Sequence, residues 1–424
     1  MSQNNTLINE CINTEVGFIP KHWKVKSFES LFDFSGGFSA SRDQLSNSGF
    51  CYLHYGDIHM TDKTYIDVDT EILDIPKLNI ELKKISKQSL LNDGDIVFVD
   101  ASEDDDGVSK HIVVRNAKGI KYISGLHTIV AKSKNNELDN LYKQFCFKTS
   151  NIKKQFKFYA VGTKVSGVSK SNIKKILMPI PSKEEQKAIA TALSDIDDLI
   201  LSLEKLISKK KMIKEGTMEE LLTGKKRLDG FNEEWVKYKL GEIAEVATGS
   251  TPSTNDSKNY GDKYMFVSPI DLGKQKYIIS TEKMLSQKGF SISRKYPAGS
   301  ILFTCIGSTI GKSGIAIKEL SSNQQINAIF PNSSYVTDFM YYMLNYLAPS
   351  IKASASEQAV PIINKSSFEK IELNFPKHKE QEVIANILSD MDNEIEKLEK
   401  KLNKYKNIKT GMMEELLTGK RRLV

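Results

Sequence analysis

Hydrophobic residues recur at alternating spacings of four and three in two separate stretches of this chain. The first stretch places them at Ile189, Leu193, Ile196, Ile200, Leu203 and Ile207, and the second at Ile384, Leu388, Met391, Ile395, Leu398 and Leu402. Charged residues fill the positions between them, so each stretch has the pattern of a coiled-coil helix. Pro181 precedes the first stretch and Thr223-Gly224 follows it, which predicts a helix from about residue 183 to residue 222.

Both helices belong to a long internal repeat. Ser171–Leu228 aligns with Ser366–Leu423 without a gap, at a constant offset of 195 residues. Such self-similarity indicates that one architectural unit is used twice. Because a heptad seam needs a partner, we expect the two copies to pair with each other; the alternatives are packing on a globular domain and pairing with another chain. Gly216 and Gly411 lie inside the copies and predict a bend or an early helix end.

The remaining segments, about 1–180 and 229–375, repeat each other more weakly. Each carries a tryptophan, then a glycine that opens a Ser/Thr-rich loop (Gly37 and Gly249), then an apolar run that predicts a buried strand. We interpret these shared residues as core and turn positions. The runs are Gly94–Phe98 and Gly299–Phe303, and helical patterns lie near 139–158 and 335–348.

These patterns predict an α+β protein with two similar globular domains and two long helices. The predicted organisation is a first globular domain (1–180), a central helical repeat (181–228), a second globular domain (229–375) and a C-terminal helical repeat (376–424). The two halves diverge far more in their globular segments than in their helices. We infer that the helices share one task while the globular segments perform different versions of another.

Composition narrows the function classes. The chain has 424 residues and a net charge of +7, which permits nucleic-acid binding without requiring it. Its four cysteines form no CxxC pair, which argues against a zinc or disulfide framework and for a reducing compartment. The polar N-terminus and the absence of a long apolar run give no sign of a signal peptide or membrane span, so we expect a cytoplasmic protein.

Searches for catalytic motifs are negative. Gly307-Ser-Thr-Ile-Gly311-Lys312 has three residues between its glycines where a phosphate loop needs four, so a turn between strands is favoured. The acidic run at 103–106 lacks the glutamate that a calcium loop needs at its twelfth place. No HExxH or GxSxG occurs, and Asn374-Phe375-Pro376 matches the amino-methyltransferase motif only faintly. The sequence predicts neither a catalytic residue nor a metal ligand.

One stretch is strongly cationic. No acidic residue occurs between Asp139 and Glu184, and ten lysines lie there among aromatic residues. This composition suits a phosphate backbone, and it equally suits a solvated helix face whose aromatic side chains enter the core. The aromatic residues are Tyr142, Phe145, Phe147, Phe156, Phe158 and Tyr159.

Taken together, these features resemble the specificity subunit of type I restriction–modification systems. The resemblance covers nearly the whole chain and is most specific in the helical repeats. It rests on the order of segments, on the shared helix entry and on the paired Leu-Leu-Thr-Gly-Lys-(Lys/Arg)-Arg-Leu ends. The entry comprises Pro181, Glu185, Gln186, Ile189 and Ala190 in one copy and Pro376, Glu380, Gln381, Ile384 and Ala385 in the other. The roughly 16 residues before Gly17 depart from the family pattern.

The resemblance implies that the globular segments and the helices have different functions. Each globular segment would be a target recognition domain that reads one half of a split double-stranded DNA site. The helices would form an antiparallel coiled coil that sets the gap between the halves and docks two methyltransferase subunits, which restriction/translocase subunits then join. Members of the family have no catalytic centre of their own, so S-adenosylmethionine and ATP would be used by the partner subunits.

Base readout requires polar side chains on loops that enter a groove. We therefore predict DNA contacts at loop positions in both globular segments. The candidates in the first segment are Ser39, Ser41, Arg42, His54, Tyr55 and Lys164. The candidates in the second segment are Ser250, Thr251, Ser253, Thr309, Lys312, Gln324, Gln325 and Gln358.

Two other hypotheses remain open from the sequence. The chain could be a self-contained DNA methyltransferase or nuclease with an unrecognised site, which methyl transfer by the isolated chain would reveal. It could also be a coiled-coil scaffold that touches no nucleic acid, in which case DNA binding by the assembled complex would be absent or insensitive to salt.

Overall fold

The structure is a computed structural model that divides into two units. Unit 1 comprises residues 1–203 and 401–424, and unit 2 comprises residues 204–400. Each unit therefore combines one globular segment with parts of both long helices. The residues that the structure describes are 11–61, 63–102, 107–162, 166–355 and 360–423.

The globular part of unit 1 is built from short strands and helices. Its strands are β1 (Cys11–Thr14), β2 (Gly17–Pro20), β3 (Lys24–Ser27), β4 (Phe32–Gly36), β5 (Leu45–Ser46), β6 (Phe50–Leu53), β7 (Tyr65–Asp67), β8 (Lys77–Leu78), β9 (Ile96–Val99), β10 (Ala101–Ser102), β11 (His111–Arg115), β12 (Tyr122–Ser124), β13 (Thr128–Ser133), β14 (Ser166–Gly167) and β15 (Leu177–Ile180). Its short helices are α1 (Phe28–Leu31), α2 (Tyr55–Met60), α3 (Val68–Glu71), α4 (Lys143–Cys146), α5 (Ser150–Tyr159) and α6 (Lys170–Ile173).

Two sheets organise this part of unit 1. The larger has the strand order β4-β13-β9-β11-β7, and the smaller has the order β12-β6-β8-β5. The apolar run Gly94–Phe98 was predicted to form a buried strand. It contributes to β9, whose four residues are all buried and which lies between β13 and β11. The predicted helical stretch at 139–158 is divided into α4 and α5. The segment before Gly17 contributes a hairpin in which β1 pairs antiparallel with β2.

The globular part of unit 2 repeats this topology. Its strands are β16 (Val236–Lys239), β17 (Val246–Thr248), β18 (Tyr260–Val267), β19 (Tyr277–Ile278), β20 (Lys283–Leu285), β21 (Ile301–Thr304), β22 (Ser313–Ala316), β23 (Ser321–Ser322), β24 (Ile326–Ile329) and β25 (Glu372–Phe375). A five-stranded sheet has the order β17-β24-β21-β22-β19, and a three-stranded sheet has the order β20-β18-β23. In both units a parallel pair closes the larger sheet, β11 with β7 in one and β22 with β19 in the other.

The long helices lie where the heptads predict them. Following α7 (Lys183–Leu222), unit 2 has α8 (Leu240–Ile243), α9 (Gln287–Ile292), α10 (Thr337–Ala353) and α11 (Lys365–Glu369), and the second long helix is α12 (His378–Leu416). The expected span of 183 to 222 is confirmed. An early end at Gly216 or Gly411 is wrong, because both helices continue past the glycine. One glycine costs a helix about 1 kcal/mol, which the packing of an apolar face readily outweighs.

The two long helices pair with each other, in antiparallel orientation. In unit 2, Lys210 of α7 forms an ion pair with Glu394 of α12 at 2.7 Å, and Lys214 pairs with Asp392. Residue numbers thus rise along one helix as they fall along the other. In unit 1 the equivalent pair joins Lys409 to Asp197. The intramolecular coiled coil is therefore confirmed within each unit.

In each unit, one long helix is joined to the start of the other through the arginine of its repeated end. The repeated ends have the sequence Leu-Leu-Thr-Gly-Lys-(Lys/Arg)-Arg-Leu. In unit 1 the Glu185 carboxylate is 1% exposed and accepts hydrogen bonds from Trp23 Nε1 at 2.9 Å and Arg422 Nε at 3.0 Å. In unit 2 Arg227 binds Glu380 through Nε and Nη2 at 2.8 and 2.9 Å. Each arginine follows the end of one long helix, and each glutamate lies near the start of the other. One ion pair in each unit therefore joins the end of one helix to the start of the other.

Candidate nucleic-acid interface

In unit 1, loops from four strand ends converge beside the sheets. Phe38 N–H donates to the Ser124 carbonyl at 2.7 Å, and Gly37 approaches Gly125 so closely that an added Cβ would lie 1.7 Å from its carbonyl oxygen. Only glycine permits this backbone contact. We call the assembled residues loop cluster 1; they are 37–42, 54–59, 100–102 and 125–127.

Loop cluster 1 presents rings and charges together. The Tyr55 ring lies 4.7 Å from the His54 ring and 5.4 Å from the His127 ring, measured between centroids. Arg42 forms an ion pair with Asp57 at 3.2 Å, and both side chains are more than one third exposed. The predicted residues Arg42, His54 and Tyr55 are thus brought into one surface. Such a surface offers donors, acceptors and ring faces to the base edges of a groove.

His54 has a defined protonation state. Its Nδ1 accepts the Gly56 N–H at 3.1 Å and caps α2, so Nε2 carries the proton. Burial lowers the pKa of His54, the nearby Arg42 lowers it further, and Asp57 opposes them. The imidazole is therefore neutral at pH 7 and holds one N–H donor.

His127 is a member of loop cluster 1 that the sequence analysis missed. Among the described residues it alone has a left-handed φ, 59°, without being glycine. Its Nδ1 lies 3.4 Å from Asp100 Oδ1, and half of the side chain is exposed. Backbone strain of this kind concentrates at binding and catalytic sites. No periodic pattern flags His127, because its place depends on contacts with distant strands.

Unit 2 builds an equivalent surface. An added Cβ on Gly249 would lie 1.9 Å from the Asn323 carbonyl oxygen, and Ser250 N–H donates to the Ser322 carbonyl at 3.0 Å. These contacts reproduce those of Gly37 and Phe38 in unit 1. We call this surface loop cluster 2; it comprises residues 249–253, Arg294, 305–312 and 323–325.

Several predicted residues meet in loop cluster 2. The Thr251 hydroxyl donates to Gln324 Oε1, and the Ser250 hydroxyl accepts the Arg294 N–H at 2.9 Å. The Arg294 guanidinium also donates to the Thr248 carbonyl at 3.1 Å, and the residue is exposed. Arg294 was not predicted, although an arginine in a Ser-rich stretch outside the strand patterns was a usable signal.

The segment 305–312 connects β21 to β22 as a turn, as predicted, and carries Thr309 and Lys312. Gly307 and Gly311 have φ values of 90° and 100°, which favour glycine at both places. The turn begins next to Gln325, since Cys305 N–H donates to its carbonyl at 2.8 Å.

The other candidates have various surroundings. Ser39 is exposed, Ser41 opens a short helical turn through Gln44, and the Ser253 carbonyl accepts the Asn259 side-chain amide at 3.0 Å. Lys164 and Gln358 lie outside the described residues, as does the acidic run at 103–106. The DNA contacts assigned to the candidate residues remain predictions.

The two clusters hold His127 and Gln325 at equivalent places. The His127 carbonyl accepts Asp100 N–H at 3.2 Å, just as the Gln325 carbonyl accepts Cys305 N–H. Each residue also comes just before the strand that pairs with β9 or β21. Equivalent places in the hydrogen-bond pattern are therefore occupied by an imidazole in unit 1 and a carboxamide in unit 2, although only His127 has a left-handed φ.

The cationic stretch supplies charge but little stacking surface. Tyr142, Phe145, Phe147 and Phe156 are fully buried in the core of unit 1, so they serve packing. Phe158, in contrast, is 80% exposed at the end of α5. Lys143 is also buried and donates to the Gly94 carbonyl at 3.0 Å, whereas the exposed lysines on α5 face solvent. The exposed lysines on α5 are Lys153, Lys154 and Lys157.

Other site types find no support in the described part of the chain. There, no three His, Cys, Asp or Glu side chains gather as ligands of a metal ion. The helices described are also too short or too polar to cross a membrane.

Comparison with known families matches both halves. The model of the type I restriction modification DNA specificity domain fits residues 20–214 and again residues 232–406. A Methanocaldococcus jannaschii protein named for the type I enzyme MjaX is 24% identical over 97% of this chain and 96% of its own length. The HindI specificity subunit of Haemophilus influenzae is 30% identical over 44% of this chain and 41% of its own.

Solved structures share the fold. The crystal structure of a type I restriction–modification S subunit from M. genitalium superimposes with a TM-score of 0.57 at 16% identity, covering 93% of this chain and 96% of that one. A chain from a study of type I assembly and conformational transition gives a TM-score of 0.59 at 15% identity, covering 95% and 99%. At these identities the likeness concerns architecture alone.

Proposed function

This chain belongs to the family of type I restriction–modification specificity subunits, and we propose that loop clusters 1 and 2 each read one half of a bipartite DNA site. The observation that carries the proposal is the common backbone frame of the clusters. Gly37 and Gly249 make the same close approach, while the side chains around them differ. A shared backbone frame with different side chains is suited to the recognition of two different DNA sequences.

The helices support the other half of the proposal. Their ungapped similarity follows if each copy carries the same partner, so we propose that the coiled coil docks two methyltransferase subunits and sets the spacing between the half-sites. Restriction/translocase subunits would join that complex. S-adenosylmethionine and ATP would be bound by these partners, and this chain would recognise DNA without carrying out chemistry.

Mapping methylated bases across a genome that carries this chain tests the proposal. We expect a bipartite motif with a constant gap, since two readers on one coiled coil select sites by geometry. An uninterrupted motif would contradict reading by two halves. Methyl transfer by the isolated chain would contradict the absence of chemistry and favour the enzyme hypothesis.

Substituting His127 or Gln325 should weaken recognition of one half-site each. We expect His127→Ala to lower specific DNA affinity of the assembled complex about tenfold, because one base contact contributes about 1–3 kcal/mol. Gln325→Ala should do the same for the other half-site. Binding of DNA duplexes that are mutated in one half or the other measures which half-site each variant still discriminates.

His378→Ala is a matched control for His127→Ala. Its side chain is 51% exposed, as is that of His127, but it begins α12 and lies outside both loop clusters. We expect affinity within about twofold of the unsubstituted chain. Equal losses in the two histidine variants would show that His127 makes no specific contact.

A further inference from the structure

The turn between β12 and β13 exposes a leucine inside loop cluster 1. Leu126 is 44% exposed and directly precedes His127. The other exposed side chains of the cluster include the polar groups of Arg42, His54 and Tyr55, so an apolar side chain stands among hydrogen-bonding ones. One exposed leucine is ordinary on a protein surface, and its meaning therefore depends on how the residue is held and on what replaces it in the other unit.

Hydrogen bonds fix the backbone of Leu126 on both sides. Its N–H donates to the hydroxyl of Tyr52 at 3.3 Å, and Tyr52 is fully buried. The preceding Gly125 N–H donates to the Leu53 carbonyl at 2.9 Å, and the following residue, His127, has the left-handed φ described above. The turn therefore holds Leu126 at a defined place while leaving much of its side chain outside the core of unit 1.

The equivalent residue in unit 2 is Gln324. Gly125 and Asn323 correspond, because each receives the close approach of the glycine that opens its cluster. The next residue is Leu126 in unit 1 and Gln324 in unit 2, and both are exposed. Gln324 is hydrogen-bonded to the Thr251 hydroxyl, whereas Leu126 has no polar group in its side chain. One exposed turn position thus differs in chemistry between units that share a fold, as expected of a position that contacts different bases.

The base edges of unmodified DNA carry one large apolar group, the C5-methyl group of thymine in the major groove. The other groups on those edges are mainly hydrogen-bond donors and acceptors, which a leucine side chain cannot satisfy. We propose that Leu126 contacts a thymine methyl group in the half-site that unit 1 reads; this rests on the proposed function. Leu126 thereby selects a T·A pair at one position of that half-site.

Deoxyuridine tests the contact, because it pairs as thymine does and lacks only the methyl group. The complex of this chain with its methyltransferase subunit is titrated with duplexes in which each thymine of the recognised site is replaced in turn. At one thymine, the unsubstituted chain should lose about fourfold in affinity, as the loss of one buried methyl group predicts. At that position, Leu126→Ala should bind the thymine and deoxyuridine duplexes equally, because the apolar partner of the methyl group is gone.

Two further variants separate the contact from an effect on folding. Leu126→Met keeps an apolar side chain of similar volume, so it should retain the preference for thymine. Leu73→Ala is the matched control, since Leu73 is 89% exposed and lies outside both loop clusters. It should leave the fourfold difference unchanged. All three variants should unfold at nearly the temperature of the unsubstituted chain, because the substituted residues are exposed.

The possible failures of the inference and of the proposed function are distinguishable. If the unsubstituted complex discriminates its half-sites but binds thymine and deoxyuridine equally at every position, the role of Leu126 is overturned and the proposed function stands. A preference for thymine that survives in Leu126→Ala at every position has the same meaning. Lower affinity of Leu126→Ala without any effect of deoxyuridine would instead indicate a side chain wedged between bases, which also overturns the inference. Equal affinity of the complex for all sequences would overturn the proposed function itself.

Discussion

Replacing Gly37 with alanine is expected to abolish recognition of one half-site. The new Cβ would lie 1.7 Å from the Gly125 carbonyl oxygen and 2.6 Å from Thr128 Oγ1, so loops of cluster 1 must separate. We expect specific DNA affinity to fall on the order of a hundredfold, because several base contacts are displaced together. The unit should also lose about 1–3 kcal/mol of unfolding free energy, as overpacked sites do.

Gly249→Ala should produce the reciprocal loss at the other half-site. Its Cβ would lie 1.9 Å from the Asn323 carbonyl oxygen, which is the same backbone collision in unit 2. Duplexes with one half-site altered at a time measure the discrimination that each variant retains. Methyltransferase binding should be unchanged in both variants, because both substitutions lie outside the long helices.

Gly36→Ala is the control for Gly37→Ala. Its Cβ would come within 3.1 Å of Lys170 Nζ only, the mobile end of a long side chain that can move aside. Affinity and stability should therefore stay close to those of the unsubstituted chain. A Gly37→Ala protein that matches Gly36→Ala in both measurements would disprove the backbone contact that assembles loop cluster 1.

The sequence predicted the elements that depend on local periodicity. The heptad positions from Ile189 to Ile207 defined α7, and the apolar run after Gly94 defined β9. In both cases the signal lies within a few residues of the element itself. The repeat also predicted that both halves share one topology.

Contacts between distant segments could not be predicted from the periodicity of the sequence. Gly37 was noted as the start of a loop, but its contact with Gly125 depends on the parallel pairing of β12 with β6. His127 joins loop cluster 1 for the same reason. The aromatic residues of the cationic stretch were equally ambiguous. A helix face rich in Phe and Lys has the same sequence pattern whether its rings enter the core or face a ligand.

Substituting Arg422 with alanine should destabilise unit 1 strongly. Glu185 would then remain buried with only Trp23 and His22 as hydrogen-bond donors. Removing one partner of a buried ion pair leaves an uncompensated charge, so we expect a loss of about 3 kcal/mol in unfolding free energy. Arg227→Ala should act likewise on unit 2 through Glu380. Hydrogen exchange resolved by segment would show loss of protection in β9 for the first variant and in β21 for the second.

The difference between the Arg422→Ala and unsubstituted chains should depend on pH. Burial alone would raise the pKa of Glu185, but hydrogen bonds from Trp23, Arg422 and His22 outweigh it, so the pKa of Glu185 in the folded state is lowered. A lowered folded-state pKa contributes stability that is complete above the unfolded pKa, about 4.3, and is lost as the pH falls through the folded value. The difference in stability between the two chains should therefore shrink as the pH falls below about 4.3 and vanish once the pH is below the lowered folded-state pKa of Glu185.

Arg421→Ala provides the control, because its ion pair with Glu415 spans 3.6 Å and both side chains are at least half exposed. Such surface pairs contribute little, so its unfolding free energy should stay within about 0.5 kcal/mol of the unsubstituted chain. If Arg422→Ala were as stable as Arg421→Ala at pH 7, then Trp23 and His22 alone would satisfy Glu185. The arginine of the repeated helix end would then contribute nothing to the stability of unit 1. Its presence in both copies would need another explanation.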